Sequence, residues 1–282
     1  MHSSSLFDVI EGKWITAVSI FLEEHFKQRF LPSHDQTHHQ RVWRNAKALI
    51  SGLKEIGCPI DEELVESVFL STMFHDTGMT ITVEPDHGTA SFEILSGFLN
   101  ESVIKIIAPI EEIRQAITEH DKKDRIMIIR FEPGMQPDVL ALTSIADDMD
   151  ALGTIGIYRY AEIYLHREAT MELLGHRVLE NVSNRYSGIK NSLSSLPFLL
   201  NQIEEQFREI QMFYEGYNQQ ASSAHDPFTE YSGPQGVINH IRNYTINSSV
   251  RPEDIHGQIS DHTSDIYVLN FFKKLSNEIK NN

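Results

Sequence analysis

Between residues 6 and 30, Phe7, Ile10, Trp14, Ile15, Val18, Phe21, Leu22 and Phe26 return at roughly the spacing of one helix face. A helix with such a stripe has to bury it against other elements. The period recurs down the chain. It covers about 36–52, through RVWRNAKALI. It then covers a helix opened by Pro59 and Asp61 that runs through LVESVFLSTMF to His75, with Gly78 placed to end it. Further helices are expected over about 88–99, 109–120 and 138–152, through 157–180 and 198–216, and in two pieces at about 236–246 and 263–280. RIMIIRF (125–131) reads as a short strand or a buried loop. With no strand-rich stretch, internal repeat or heptad run, the pattern demands an all-α fold.

At 282 residues and 40% hydrophobic content, the chain has material for one large domain or a domain with an extension. Residues 217–236, with NQQASSAHDPFTEYSGPQG, are polar and carry Pro and Gly, which reads as a linker or long surface loop. The expected division is therefore a helical domain over 1–216 and a linker with a helical extension over 217–282. Ile266, Leu269, Phe272 (or Phe271) and Leu275 give the last helix a docking face.

A lone cysteine, Cys58, excludes an internal disulfide framework and points to a reducing compartment, the cytoplasm. The start, MHSSSLFDVIEGKW, lacks the basic and apolar regions of a secretory signal, and no run of 18 apolar residues offers a membrane span. The net charge of −16 counts against duplex nucleic acid, which needs a basic surface. It leaves room for a small phosphate ester, because a bound cation reverses the local field. A homo-oligomer is left open.

The dipeptide His-Asp occurs four times, at His34-Asp35, His75-Asp76, His120-Asp121 and His225-Asp226, where composition predicts about one. Context separates them. Asp35 suits a helix N-cap, and His225-Asp226, before Pro227, suits a surface turn. In contrast, Ile113, Ala116, Ile117 and His120 share one helical stripe, as do His38, Val42, Ala46 and Leu49, with His39 one step round. His75 ends an apolar helix. Each histidine taken singly also suits a hydrogen-bonded core residue. Asp147 shares a face with Leu140, Ser144 and Ala151. A buried carboxylate costs several kcal/mol unless it is paired, here with Arg159 as one choice, or holds a metal. Together, His38, His75, Asp76, His120 and Asp147 offer nitrogen and oxygen donors from separate helices. Such donors suit Mn, Fe, Zn, Co or Ni better than Ca, with Mg the hard-ion alternative.

In order, the stretches HDQTHHQRVWRNAKAL, MFHDTG, AITEH and ADDMDALGTIGIYR resemble the HD-domain superfamily of metal-dependent phosphohydrolases, over roughly residues 15–185. The resemblance implies a helical bundle of the HD type, here with a helical C-terminal extension. The first stretch is similar to the family's H-D-x-x-H-x-x-R-V segment, whose second histidine binds metal and falls on His38. The last is similar to A-D-x-x-D-A-x-G-x-I-G of a bacterial branch, whose first Asp is the ligand and falls on Asp147. The implied first site is His38, His75, Asp76 and Asp147. Branches with two ions add two histidines, for which His87 and His120 fit by position, with Asp76 bridging. One or two ions per chain follow. The TGMTITVEPDHG segment departs from the bacterial branch, so that branch's substrate choice does not carry over.

The activity implied is hydrolysis of a phosphomonoester or phosphodiester, of a nucleotide or another small molecule, by metal-activated water. Asp76 would bridge the ions. His120, Asp150 or Asp148 would bring a proton to the leaving group, Asp150 being the better placed of the two aspartates. Asp150 equally suits orienting a ligand histidine. Lys122, Lys123 and Arg159 are the expected phosphate contacts, with Arg41 a further one. A solvated surface charge is the plainer reading of each except Arg159. Two other readings share the ligand types: a di-iron oxygenase of the same fold, and a non-catalytic metal-binding regulatory module.

Overall fold

Side-chain caps set the starts of the first three α-helices. The computed structural model describes residues 5–84, 86–122, 130–222 and 231–280. Ser5 and Asp8 form a reciprocal capping box at the start of α1 (Leu6–His25). Asp35 caps α2 (Gln36–Glu55), accepting from the Thr37 backbone N–H at 2.9 Å, and Asp61 caps α3 (Glu62–Phe74) through the Leu64 N–H. Next come α4 (His87–Glu101), α5 (Ile110–Glu119) and α6 (Val139–Asp150), then α7 (Gly153–His166), α8 (Met171–Ser192) and α9 (Pro197–Ser222). The chain continues through α10 (Gly233–His240), a π-helical turn (Ile241–Ile246), α11 (Pro252–Ile259) and α12 (Ile266–Lys280). Among the described residues there are twelve α-helices and no strand, an all-α fold. No described helix is long and apolar enough to cross a membrane.

The chain forms two compact units, Met1–Asp150 with Ser187–Leu200, and Ala151–Tyr186 with Asn201–Asn282. The boundary expected after residue 216 falls inside α9. In the first unit α2 lies against α6 and α3, and α5 against α6, α3 and α4. α3 is the central helix: every residue from Leu64 to Phe74 is buried. Of the expected stripes, Ile10, Trp14, Val18 and Leu22 of α1 and His38, Val42, Ala46 and Leu49 of α2 are buried, whereas Phe7, Ile15, Phe21 and Phe26 are half-buried at the edge of the face. Glu66 of α3 ties three segments together. It accepts from Trp14 Nε1 at 2.7 Å, from Lys13 Nζ at 2.5 Å and from the backbone N–H groups of Ile107 and Ala108 at 2.6 and 2.8 Å.

Gly78 does not end α3, which stops at Phe74 with His75 as its cap. It lies in a short 3-10 turn (Thr77–Thr80), and a Cβ there would come 2.2 Å from the His87 carbonyl. Glycine is required because α4 packs directly on the turn. Gly88 plays the same part between α4 and α5, where a Cβ would meet the Ile117 carbonyl at 2.7 Å.

In the second unit α12 packs on α11, α10 and α7, and the π-helical turn on α7 and α10. The expected helical stretch 157–180 is broken between α7 and α8, where Glu168 takes a φ of 55°. The loop expected from 217 begins later, because α9 continues to Ser222 with Tyr217 fully buried, and α10 already starts at Gly233. α11 was not anticipated by the period. Pro252 in its first turn, Glu253 and Asp254 beside it and buried Ile255 and Ile259 are the signals that mark it. Lys123, His225-Asp226 and 125–129 of the RIMIIRF piece lie outside the described residues.

Candidate metal centre

Five helices of the first unit meet with their chemistry at one place. α2 brings His38 from its first turn, and α3 ends so that His75 and Asp76 follow its last residue. α4 begins at His87, α5 ends just before His120, and α6 brings Asp147. All six side chains are buried. Their donor atoms form two groups, each within 4.8 Å: His38, His75, Asp76 and Asp147, then Asp76, His87 and His120.

Separations within the first group have the scale of a coordination shell. His38 Nε2 lies 3.1 Å from His75 Nε2, 3.3 Å from Asp76 Oδ2 and 3.6 Å from Asp147 Oδ1. His75 Nε2 lies 3.3 Å from Asp76 Oδ2 and 3.7 Å from Asp147 Oδ1. A cation with bonds of about 2.1 Å sets neighbouring donors about 3.0 Å apart in an octahedron and about 3.4 Å apart in a tetrahedron. In the second group Asp76 Oδ1 lies 2.9 Å from His87 Nε2 and 3.1 Å from His120 Nε2, and the two nitrogens are 3.4 Å apart. Asp76 thus turns one oxygen to each group.

The other nitrogen of each ring is already engaged. Nδ1 of His75 donates to the Thr72 carbonyl (2.9 Å), Nδ1 of His87 to the Glu84 carbonyl (2.8 Å) and Nδ1 of His120 to the Ile117 carbonyl (2.7 Å). Nδ1 of His38 donates to Asp150 Oδ2 at 2.8 Å. Hydrogen bonding at Nδ1 turns Nε2 toward the shared centre, which is how proteins prepare imidazoles for metal. Two nitrogen and two oxygen donors in one group, and two nitrogens with a shared oxygen in the other, fit a borderline transition metal ion.

Electrostatics tell the same story. Burial works against a charged His75 ring, yet Asp76 and Asp147 outweigh it and raise its pKa to about 10. Burial likewise opposes charge on His87, and Asp76 with Asp121 lifts it to about 9. Burial would raise the Asp76 carboxyl, but His75 and the hydrogen bonds of His120 and His38 hold it well below the usual carboxylate value. The pocket of carboxylates calls for positive charge, which either protons or a cation supplies. His39 is different. It is buried against Phe26 and His75, its Nδ1 donates to the Thr72 carbonyl at 3.2 Å, and burial followed by the neighbouring imidazoles keeps it neutral.

All six residues expected as ligands therefore stand together. Asp150 spends both oxygens on His38 and Arg41, which is the geometry of an orienting carboxylate. Arg41, read as a solvated charge, is buried and grips Asp150 through Nε (2.7 Å) and Nη2 (3.0 Å). Asp148 is buried but belongs to neither group. Lys122 is exposed and pairs with Glu119 at 3.7 Å, and Arg159 is buried on α7 in the second unit. One residue was passed over. Asp121 Oδ2 lies 3.7 Å from His87 Nε2, and its place in a His-Asp pair was the available signal. Comparisons with protein-family models, with curated proteins and with solved structures find no match for this chain.

Proposed function

We propose that the chain is a metal-dependent phosphohydrolase of the HD type, acting on a nucleotide or another small phosphate ester. The observation that carries this reading is the double-faced Asp76, with Oδ2 toward His38 and His75 and Oδ1 toward His87 and His120. Divalent ions held there would lower the pKa of a water and offset the charge that builds on phosphate in the transition state. The protein's own groups supply positioning. The Thr72, Glu84 and Ile117 carbonyls and the Asp150 carboxylate hold the four rings in place. Arg41 neutralises Asp150, so the negative charge that faces an ion comes from Asp76 and Asp147. Of the expected phosphate contacts, Lys122 follows His120 and Asp121 directly and would have to leave Glu119 to reach a substrate, while Arg159 is buried on α7.

The test is phosphate release by the Mn(II)-loaded protein from a panel of nucleotides and small mono- and diesters. Asp76→Asn serves as the control and is expected to lower turnover by roughly 10²–10³-fold. Oxygen consumption by iron-loaded protein without phosphate release would overturn the reading in favour of an oxygenase. Metal uptake without turnover on any ester would turn it toward a regulatory module.

A further inference from the structure

We propose that Asp121 serves the second ion subsite as its fourth protein donor. The inference rests on the metal reading of the site. It starts from an imbalance. The first subsite has four donor residues, two of them carboxylates, whereas the second has His87, His120 and only the far oxygen of the shared Asp76. A divalent ion there would face two neutral rings and part of one negative charge, in a buried setting where uncompensated charge is costly. Asp121 is the next residue after His120, at the C-terminal end of α5. Its Oδ2 lies 3.7 Å from His87 Nε2, the same separation as between His75 Nε2 and Asp147 Oδ1 in the first subsite.

Its setting also differs from that of the other donors. The Asp121 side chain is 30% exposed, against 2% for His87 and 5% for Asp76. It stands outside the group of atoms within 4.8 Å of one another, approaching from the His87 side. A partly exposed carboxylate keeps more rotamer choice than a packed one, and at 3.7 Å from His87 Nε2 the Asp121 oxygen already stands at the rim of the second subsite. The two subsites then reach parity, each with two imidazoles and two carboxylate oxygens. The added charge shifts the second subsite toward harder ions such as Mn or Mg.

The experiment is Mn(II) titration of the full chain by calorimetry and chelator competition, on the wild type, Asp121→Asn and Asp121→Glu, with thermal melts of each ion-free protein. The expected result is two ions on the wild type. In Asp121→Asn, one of them is weakened roughly 10–100-fold and the other stays within about twofold. The melt is unchanged and Asp121→Glu recovers part of the loss. Two ions bound to Asp121→Asn as tightly as to the wild type would overturn the role of Asp121 and leave the metal centre standing. Equal weakening of both ions with a lowered melt would overturn it in favour of a structural role. A wild type that takes up one ion would overturn it too, and one that takes up none would overturn the metal reading with it.

Discussion

Arg41 reaches the centre through two other side chains. It grips Asp150 at 2.7 and 3.0 Å, and Asp150 holds His38 Nδ1 at 2.8 Å. A carboxylate on the back of a ligand imidazole fixes its orientation and raises its basicity, and the guanidinium fork fixes the carboxylate. Arg41→Met would leave Asp150 buried without its counter-charge. The variant is expected to lose about 3–5 kcal/mol of stability and to bind the ion at His38 roughly 10–100-fold more weakly. Denaturant unfolding and metal titration check both, and a variant that unfolds with the wild type would remove the clamp from the account. Helical period made the inward faces of His38, His120 and Asp147 legible, because each sits in line with apolar neighbours. The pairing of Arg41 with Asp150 was not, since it depends on α2 packing against α6, and no local pattern reports which helices pack together.

Elements meet closely enough here that two glycines decide where histidines stand. A Cβ at Gly88 would come 2.7 Å from the Ile117 carbonyl, the same carbonyl that takes the His120 Nδ1 proton at 2.7 Å. Gly88 also follows His87. Gly88→Ala must therefore move backbone on α4 or α5, displacing His87, His120 or both. A cost of about 1–3 kcal/mol is expected, the usual scale for overpacking, together with preferential loss of the second ion over the first. Ion counts on the purified variant check this, and an unchanged pair of ions would show that the helices can part without disturbing the site. The helices themselves were mostly legible from caps and period. Gly78 was misread as a helix stop because glycine serves both termination and close approach, and only the neighbouring helix tells them apart. α11 was missed since an eight-residue helix gives the period barely two turns in which to appear.

On the scale of the whole molecule, the all-α class followed from the recurring period, but the division into two units did not. Composition marks the polar stretch after 217, whereas the contacts place a boundary at Asp150–Ala151, between two helices that read alike. Nor did the pattern disclose Glu66, an acid within the fully buried stretch of α3 that joins α1, α3 and the segment before α5. Burial alone would raise its carboxyl. Lys13, Trp14 and the Ala108 and Ile107 backbone N–H groups outweigh burial and hold it below its ordinary 4.5. A carboxyl depressed on folding stabilises fully above its unfolded value and loses that contribution as pH falls through the lower folded value. Glu66→Gln is therefore expected to be less stable at neutral pH by about 1–3 kcal/mol and to show a shallower loss of stability on acidification. Denaturant unfolding across the acid range gives both, and parallel acid limbs would assign the wild type's sensitivity to other groups.

The centre itself is tested most directly by anomalous diffraction from crystals grown with Mn(II). Two peaks are predicted in each chain, one between His38, His75 and Asp147 and one between His87 and His120, with the Asp76 carboxylate spanning them. No peak beside Asp76, or manganese bound only elsewhere on the surface, would contradict the account.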